Sequence, residues 1–253
     1  MEAVIVITGA DNGIGFHMAR ALLEDGYRLA ALDLYDCNLL SLANDYPEQL
    51  SIFRCDVTDP AQVDSAVASV VKRWGRIDVL VNNACLALFE TFETKSLADT
   101  RQEFEVNYYG YIHTIAAVLP QMKAQGEGII HNVSSGVGVT GFPGIYGYAS
   151  TKGAIESLTR TLALEFAEYG IEVKLMHPPL TNTQSASPLG IPAQVMDDPA
   201  EVGRKLAKKI FSTKPVIAPD LRTSIYLFFA YRYPLALGKL FANLTRRATS
   251  SES

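Results

Sequence analysis

The sequence predicts a single α/β domain with a doubly wound parallel sheet and helices on both faces. Short apolar runs that resemble buried strands alternate with helix-like segments from residue 3 to residue 218. The first run leads directly into the glycine-rich turn T-G-A-D-N-G-I-G. No shift in composition, internal repeat or linker interrupts the alternation. Strands and helices in regular succession predict a parallel sheet joined by right-handed crossovers.

The strands are predicted from apolar, β-branched runs that are too short to form core helices. They cover residues 3–7, 28–32, 50–55, 77–81, 128–133, 171–176 and 216–218. Helices are predicted at residues 16–24, 38–45, 60–73, 97–124, 148–169 and 199–211. Asp59-Pro60 and Asp198-Pro199 provide the N-cap and first-position residues with which helices begin, and Gly75 ends the third helix.

Composition and charge are those of an ordinary globular protein. The 253 residues are 48% apolar and 19% charged, and the formal net charge of −5 leaves no basic excess for nucleic-acid binding. Cys37, Cys55 and Cys85 are isolated, so we expect buried thiols in a reducing compartment and no metal site. The chain enters its first strand without a basic, apolar leader, so we expect a cytoplasmic protein.

The glycine-rich turn at residues 8–15 is predicted to bind the phosphates of a dinucleotide. Glycines let the backbone approach a pyrophosphate, and the N-terminus of the following helix supplies N–H groups and a partial positive charge. A glycine-rich turn alone is weak evidence. This turn, however, lies between a predicted strand and a predicted helix, with the next strand following at the expected distance.

Asp33, at the end of the second predicted strand, indicates which dinucleotide is bound. A carboxylate at this position can accept hydrogen bonds from the adenosine ribose hydroxyls and would repel a 2′-phosphate. No Arg or Lys follows it closely, and the glycine-rich turn carries Asp11 and no basic residue. We therefore expect NAD rather than NADP. The alternative is that Asp33 only solvates the end of a strand.

Ser135, Tyr148 and Lys152 form the candidate catalytic group. Tyr148 and Lys152 are four residues apart in a predicted helix, so they share one face. An unperturbed Tyr has a pKa of about 10, and a nearby ammonium lowers it, which allows proton exchange near neutral pH. Ser135 follows the predicted fifth strand and could hold a substrate oxygen. Tyr and Lys at this spacing also occur by chance on solvated helix faces.

Asn107 is the unusual residue of the predicted helix at 97–124. Asn has a poor helix propensity, so its position in a helix interior requires an explanation. Either it faces solvent, or its amide is hydrogen-bonded inside the protein.

The C-terminal third contains a lid and a tail. Residues 180–198 are rich in Ser and Pro, so we expect a mobile lid beside the carboxyl edge of the sheet.

Residues 221–253 are predicted to form a hydrophobic and basic helical tail, distinct from the domain at 1–220. Its longest stretch without a charge or Pro is far shorter than the ~20 residues that span a bilayer. The tail could lie on a membrane surface as an amphipathic helix, or pack over the pocket or a partner subunit.

The motifs taken together resemble the short-chain dehydrogenases/reductases. T-G-A-D-N-G-I-G, N-N-A, S-S, Y-A-S-T-K and P-P-L-T occur in the order, spacing and structural context of that family. The resemblance extends from residue 4 to about residue 216. It implies a seven-stranded Rossmann-type fold, hydride transfer between an alcohol or ketone and a nicotinamide cofactor, and a homodimer or homotetramer. More loosely, the C-terminal portion resembles lipid- and sterol-acting members.

The resemblance also implies the roles of individual residues. Tyr148 would exchange a proton with the substrate oxygen that Ser135 also holds. Lys152 would bind the nicotinamide ribose and lower the pKa of the phenol, and Asn107 would position a water in a proton relay. Further positions match those that surround the dinucleotide in the family; they are Gly9, Asn12, Gly13, Ile14, Gly15, Asp33, Asp56, Val57, Asn83, Pro178 and Thr181.

Three residues depart from the family pattern. Cys85 replaces the Gly of N-N-A-G, Pro179 replaces the Gly of P-G, and Asp11 stands where Ser, Thr or Arg is common. Cys85 would narrow the site, and Pro179 would stiffen the base of the lid. Tyr146, whose spacing from Lys152 is wrong for the motif, is expected to line the pocket.

The residues and the resemblance together predict an NAD-dependent oxidoreductase that interconverts a secondary alcohol and a ketone on a hydrophobic substrate. One alternative is a protein that binds dinucleotide as a sensor or scaffold without turnover. Another is a lyase or epimerase that uses bound NAD catalytically.

Overall fold

The computed structural model describes residues 3–250, and the side chains of residues 3–244. Its centre is a seven-stranded sheet in the order β3-β2-β1-β4-β5-β6-β7, with every neighbouring pair parallel. The strands are β1 (Val4–Thr8), β2 (Arg28–Asp33), β3 (Leu50–Arg54), β4 (Val79–Asn82), β5 (Gly128–Val133), β6 (Ile171–Met176) and β7 (Val216–Ile217). The predicted Rossmann-type fold is confirmed.

Ten α-helices surround the sheet within the described residues. They are α1 (Gly13–Glu24), α2 (Leu40–Ala43), α3 (Pro60–Trp74), α4 (Leu97–Phe104), α5 (Gly110–Gln125), α6 (Val137–Thr140), α7 (Tyr146–Glu165), α8 (Pro199–Ala207), α9 (Leu221–Arg232) and α10 (Pro234–Ser250). A π-helical turn, Glu105–Tyr109, joins α4 to α5. None of the helices in residues 3–250 has the length and apolarity required to cross a bilayer.

Several helix boundaries differ from the predicted ones. The helices α2 and α8 are shorter than predicted. The helix predicted at 97–124 is divided by the π-helical turn, and the tail forms two helices instead of one. The tail breaks at Tyr233, whose φ of −136° and ψ of 58° are not helical, immediately before Pro234. Because proline disfavours a helical conformation in the residue before it, α9 ends before Tyr233 and α10 begins at Pro234.

Two hydrophobic cores lie on opposite faces of the sheet. Val4 and Val6 of β1 point into one core, which is closed by α3 and α5. Ile5 and Ile7 point into the other, which is closed by α1 and α8. Each strand of the centre is buried on both faces, as expected of a doubly wound parallel sheet. The connections reverse direction between β1 and β4, and the carboxyl ends of the strands open into a crevice at this point.

His131 is a polar residue in the interior of β5. Its side chain is fully buried, and Nε2 donates to the Ile210 carbonyl at 2.7 Å, which ties the segment after α8 to the sheet. Burial lowers the pKa of His131 from 6.5 to about 4, so the imidazole is neutral at pH 7.

The buried imidazole predicts a pH dependence of stability. Between pH 6.5 and about 4 the unfolded chain binds a proton at His131 that the folded chain does not, so stability falls as the pH falls. Across the full window the loss approaches ~3 kcal/mol. Urea unfolding of the wild type and His131→Phe at pH 7 and at acidic pH should show a shallower loss in the variant. An equal loss in both proteins would show that His131 does not titrate in this window.

Candidate active site

A cleft of about 1320 Å³ opens at the carboxyl ends of the strands. Its floor is formed by the glycine-rich turn and the ends of β2, β4 and β5. One side is bounded by residues 86–94, which we name the wall loop, and the other by the lid and the tail helices. Inward-facing side chains of the tail close the outer part of the cleft; they are Tyr226, Leu227, Phe241 and Leu244.

The glycine-rich turn is fixed to the end of β4. Asn83 Nδ2 donates to the Gly9 carbonyl at 2.8 Å, and Thr8 Oγ1 accepts from the backbone N–H of Asn83 at 3.0 Å. Gly9 has a φ of 63°, and a Cβ there would lie 2.7 Å from Ala84 Cα. A Cβ on Gly15 would overlap the Gly9 carbonyl oxygen. Only glycine fits at these two positions, so the backbone remains open toward the cleft.

Asp33 lies at the end of β2, and each oxygen of its carboxylate accepts one backbone hydrogen bond. Oδ2 accepts from the backbone N–H of Asp11 at 2.8 Å and Oδ1 from that of Tyr35 at 3.2 Å. Burial raises the pKa of Asp33, and backbone hydrogen bonds, first among them that of Asp11, oppose the rise. Both carboxylate oxygens retain acceptor capacity, and the residue lines the cleft, as a ribose-binding carboxylate requires.

Asp11, the departure in the glycine-rich turn, has a structural role. Its side chain is buried, and Oδ1 accepts from the backbone N–H groups of Asn38 and Leu39, both at 2.8 Å. The carboxylate therefore fixes the segment before α2 to the glycine-rich turn. A basic residue at this position could not make these contacts, because Lys and Arg side chains accept no hydrogen bonds.

Lys152 is held at the end of β5. The side chain is 1% exposed, and Nζ donates to the Val133 carbonyl at 2.8 Å and to the Tyr111 hydroxyl at 3.4 Å. The Tyr111 hydroxyl also donates to the Val133 carbonyl, at 3.2 Å. The Cys85 thiol contacts the ammonium group as well. A buried ammonium group is stable when its donors are satisfied, and these contacts hold it beside Tyr148.

Tyr148 and Ser135 are brought together as predicted. The Ser135 hydroxyl lies close enough to the Tyr148 phenol to act on its pKa, and Lys152 Nζ lies 5.7 Å from the centre of the Tyr148 ring. The predicted net lowering of the phenol pKa is wrong for this structure. Burial, with a smaller contribution from Cys85, raises the pKa of Tyr148 to about 12, although Lys152 and Ser135 both act to lower it. The sequence indicated the cation but could not indicate that the surrounding fold partly shields the phenol from solvent.

Asn107 lies in the π-helical turn with its side chain fully buried. Oδ1 accepts from the Leu86 N–H at 2.7 Å, and Nδ2 donates to the Leu86 carbonyl at 2.7 Å and to Thr151 Oγ1 at 3.1 Å. Of the two possibilities left open by the sequence, the internal hydrogen bond is correct. The side-chain donors join the wall loop to α7.

A buried ion pair behind the wall loop was missed by sequence reasoning. The Lys95 ammonium pairs with the Glu103 carboxylate, and both side chains are fully buried. Lys95 Nζ also donates to the Leu88 carbonyl, and Glu103 Oε1 accepts from the Leu88 N–H, each at 2.8 Å. The pair packs against Gly147, next to Tyr148, and a Cβ at Gly147 would overlap Glu103. The two residues are eight apart and belong to no motif, so no sequence signal marked them.

A second unpredicted network connects the catalytic helix to the tail. Glu156, one turn after Lys152 on α7, lies 2.8 Å from His177 Nε2 at the end of β6. The Tyr231 hydroxyl of α9 donates to Glu156 Oε2 at 2.6 Å. Hydrogen bonds from His177, Ser134 and Tyr231 lower the pKa of Glu156 against the effect of its burial. The network fixes α9 relative to Ser134 and hence to Ser135.

Two other expectations are corrected by the structure. In the part of the chain that the structure describes, Tyr146 is not among the residues that line the cleft. Its hydroxyl lies 2.8 Å from Thr100 Oγ1 on α4. Cys55 is buried as predicted, but Cys37 and Cys85 are exposed. Cys85 faces the cleft, where its side chain takes up space that a glycine would leave open.

The predicted site residues converge on the cleft with two exceptions. Those that line it are Gly9, Asn12, Gly13, Ile14, Asp33, Asp56, Val57, Asn83, Ser135, Tyr148, Lys152, Pro178 and Thr181. Gly15 lies behind the turn, and Asn107 lies behind the wall loop. The open glycine backbone and the Asp33 carboxylate fit a dinucleotide, so the residues present suit the cofactor expected from the sequence.

Comparison with known proteins agrees with this geometry. The profile of the short chain dehydrogenase family matches residues 3–191. This chain belongs to the short chain dehydrogenase family. It is 34% identical over 180 residues to a 3-alpha-(or 20-beta)-hydroxysteroid dehydrogenase of Mycobacterium tuberculosis, covering 71% of this chain and 69% of the relative. It is 34% identical over 190 residues to a 2-(R)-hydroxypropyl-CoM dehydrogenase of Xanthobacter autotrophicus, covering 72% and 76%.

Solved structures share the fold. A short-chain dehydrogenase from Streptomyces avermitilis superposes with a TM-score of 0.81 at 29% identity, covering 100% of this chain and 98% of that one. A Brucella melitensis 3-ketoacyl-(acyl-carrier-protein) reductase complexed with NADH has a TM-score of 0.78 at 25% identity, covering 87% and 96%. A Burkholderia cenocepacia gluconate 5-dehydrogenase with NADP and tartrate has a TM-score of 0.77 at 26% identity, covering 86% and 94%.

The buried pair behind the wall loop predicts a large loss of stability in a single variant. Lys95→Met leaves the Glu103 carboxylate buried without its partner, so the free energy of unfolding should fall by about 3–5 kcal/mol. The exposed pair of Arg20 and Glu24, 2.9 Å apart, is the matched control, and Arg20→Ala should cost less than about 1 kcal/mol. Urea unfolding measures both. Equal effects of the two substitutions would contradict the role assigned to the buried pair.

Proposed function

We propose that this short-chain dehydrogenase is an NAD-dependent oxidoreductase that interconverts a secondary alcohol and a ketone on a hydrophobic substrate. The observation that carries the proposal is the assembly of Ser135, Tyr148 and the buried Lys152 at the end of β5, beside a cleft suited to a dinucleotide. A protein that only binds a dinucleotide has no need of a phenol beside the ammonium group.

The residues suggest how the proton moves. In reduction, the Tyr148 hydroxyl donates its proton to the substrate carbonyl oxygen, and in oxidation the same oxygen takes the proton of the alcohol. Ser135 donates a hydrogen bond to that substrate oxygen. Lys152 would hydrogen-bond the ribose of a bound nicotinamide cofactor, and its charge favours the phenolate. The cofactor, when bound, would supply the hydride chemistry.

The substrate is proposed to be apolar because of the outer part of the cleft. Its walls carry aromatic and aliphatic side chains from the wall loop, the segment after α6, the lid and the tail; they are Leu86, Phe89, Phe142, Leu189, Ile191, Tyr226 and Phe241. Phe89 contacts Tyr148 edge to face at 6.5 Å, so apolar surface reaches the reacting group. The hydroxysteroid dehydrogenase among the relatives is consistent with this class of substrate.

NAD is proposed as the cofactor on the basis of Asp33. Its carboxylate lines the cleft, and Leu34 and Tyr35 follow it in place of basic residues. The similar structures include one with NADH and one with NADP, so the proposal depends on this chain's own residues.

We also propose that copies of the chain associate through α4 and α7, as implied by the family resemblance. The large apolar side chains of Leu97 and Leu164 on these helices are 63% and 82% exposed. A partner subunit would remove them from water.

A sensor or scaffold without turnover is the competing function, and Tyr148→Phe tests it. Because the phenol is the proton-transfer group, the variant should lose about 100-fold or more in kcat for NADH formation over a panel of secondary alcohols. The matched control is Tyr146→Phe, which removes a hydroxyl bonded to Thr100 and should retain wild-type turnover. NADH binding measured by fluorescence should persist in both. Turnover in Tyr148→Phe equal to wild type would eliminate the mechanism.

The double variant Asp33→Ala/Leu34→Arg tests the cofactor assignment. Removing the carboxylate and adding a guanidinium should shift the ratio of kcat/KM for NAD over NADP by about tenfold or more toward NADP, which corresponds to roughly 1.4 kcal/mol. The single variant Leu34→Arg serves as the control that retains Asp33. A wild-type enzyme with the larger kcat/KM for NADP would refute the assignment.

A further inference from the structure

The outward side of α9 and α10 is an apolar surface, which we name the tail face. It is formed by the exposed side chains Leu221, Ile225, Phe228, Phe229, Leu235 and Leu240. Phe228 is 68% exposed and Leu235 is 73% exposed. Residues 221–244 carry half of the exposed large hydrophobic side chains of residues 3–244. A concentration of this kind marks an interaction site rather than ordinary surface.

The tail face is separate from the face with which α9 packs on the domain. Thr223, Leu227 and Ala230 are buried and face inward. Leu221, Ile225 and Phe228 follow one another at intervals of four and three residues on the opposite side. Packing against the domain therefore explains one apolar face of the helix, and the outward face requires a different partner.

The charge of the segment identifies the partner. Residues 221–250 contain five Lys and Arg and no Asp or Glu, whereas residues 1–220 contain 17 Lys and Arg and 26 Asp and Glu. Arg222 pairs with Asp197 of the lid. Arg232 and Lys239 lie between the exposed apolar residues, with Arg232 stacked over Tyr233 at 5.4 Å. A basic, apolar surface on an otherwise acidic protein complements a negatively charged partner that also offers apolar contact.

We propose that the tail face docks on the surface of an anionic lipid bilayer. Apolar side chains flanked by cations are the features with which helices lie at such an interface, with the apolar groups below the headgroups and the cations among them. A second copy of this chain is less well matched. Two-fold pairing of the tail face would bring Arg232 and Lys239 of both copies together without a counter-charge.

Docking would place the bilayer beside the cleft. The inward side of the same helices contributes Tyr226, Phe241 and Leu244 to the cleft wall. Tyr226 packs on Gly136, where a Cβ would lie 2.7 Å from its hydroxyl oxygen, next to Ser135. If the proposed function holds, an apolar substrate would pass between the lipid phase and the site along these two helices. The docking itself does not depend on catalysis.

Vesicle co-sedimentation of the full chain tests the proposal. Wild-type protein should pellet with vesicles of equal parts phosphatidylcholine and phosphatidylglycerol, and less with phosphatidylcholine alone or at high salt. Phe228→Ser/Leu235→Ser and Arg232→Gln/Lys239→Gln should each lower the partition coefficient by at least about tenfold. Leu40→Ser, at a residue 55% exposed on α2, is the matched control and should bind as wild type.

The outcomes separate docking from its alternatives and from the proposed function. Wild-type protein that stays in the supernatant, or tail variants that bind as well as wild type, would overturn the proposal. Light scattering that shows a wild-type oligomer converted to monomer by Phe228→Ser/Leu235→Ser, without vesicle binding, would assign the tail face to a second copy. Circular dichroism and NADH binding verify that each variant is folded. No readout uses turnover, so failure of docking and failure of the enzymatic mechanism are distinguishable.

Discussion

The buried ammonium group of Lys152 is the constraint on which the rest of the site depends. Removing a charge from water is costly, and the cost is offset only where hydrogen bonds satisfy its donors. Here they are supplied by the Val133 carbonyl, at the carboxyl end of β5, and by the Tyr111 hydroxyl of α5. Because β5 is paired with a strand on each side, the ammonium group is attached to the interior of the sheet, and α7 carries Tyr148 one turn before it.

The surroundings of this group are held by polar contacts within the core. Asn107 bonds both backbone groups of Leu86, and the pair of Lys95 and Glu103 bonds both backbone groups of Leu88. The wall loop, which has no regular secondary structure of its own at these positions, is therefore fixed from behind. On the other side, Glu156 links α7 to the tail. The site lies between two supports, and the outer part of the cleft remains apolar.

Local pattern was sufficient to predict most of the fold, and it failed where distant residues meet. β5 and β6 have the predicted boundaries because apolar, β-branched runs specify strands locally. The Ser135, Tyr148 and Lys152 group followed from helix spacing and a motif. By contrast, Glu156 and Tyr231 are 75 residues apart, and their contact requires the tertiary structure. The pKa of Tyr148 was predicted in the wrong direction for the same reason, since burial is a property of the whole fold.

The most direct test of the central claim is a crystal structure of the protein with NADH. The account predicts that Lys152 Nζ hydrogen-bonds the nicotinamide ribose while the Tyr148 hydroxyl and Ser135 face the same side of the nicotinamide ring. A dinucleotide bound in the cleft with Lys152 still directed only at Val133 and Tyr111, and with Tyr148 turned away from the ring, would contradict it.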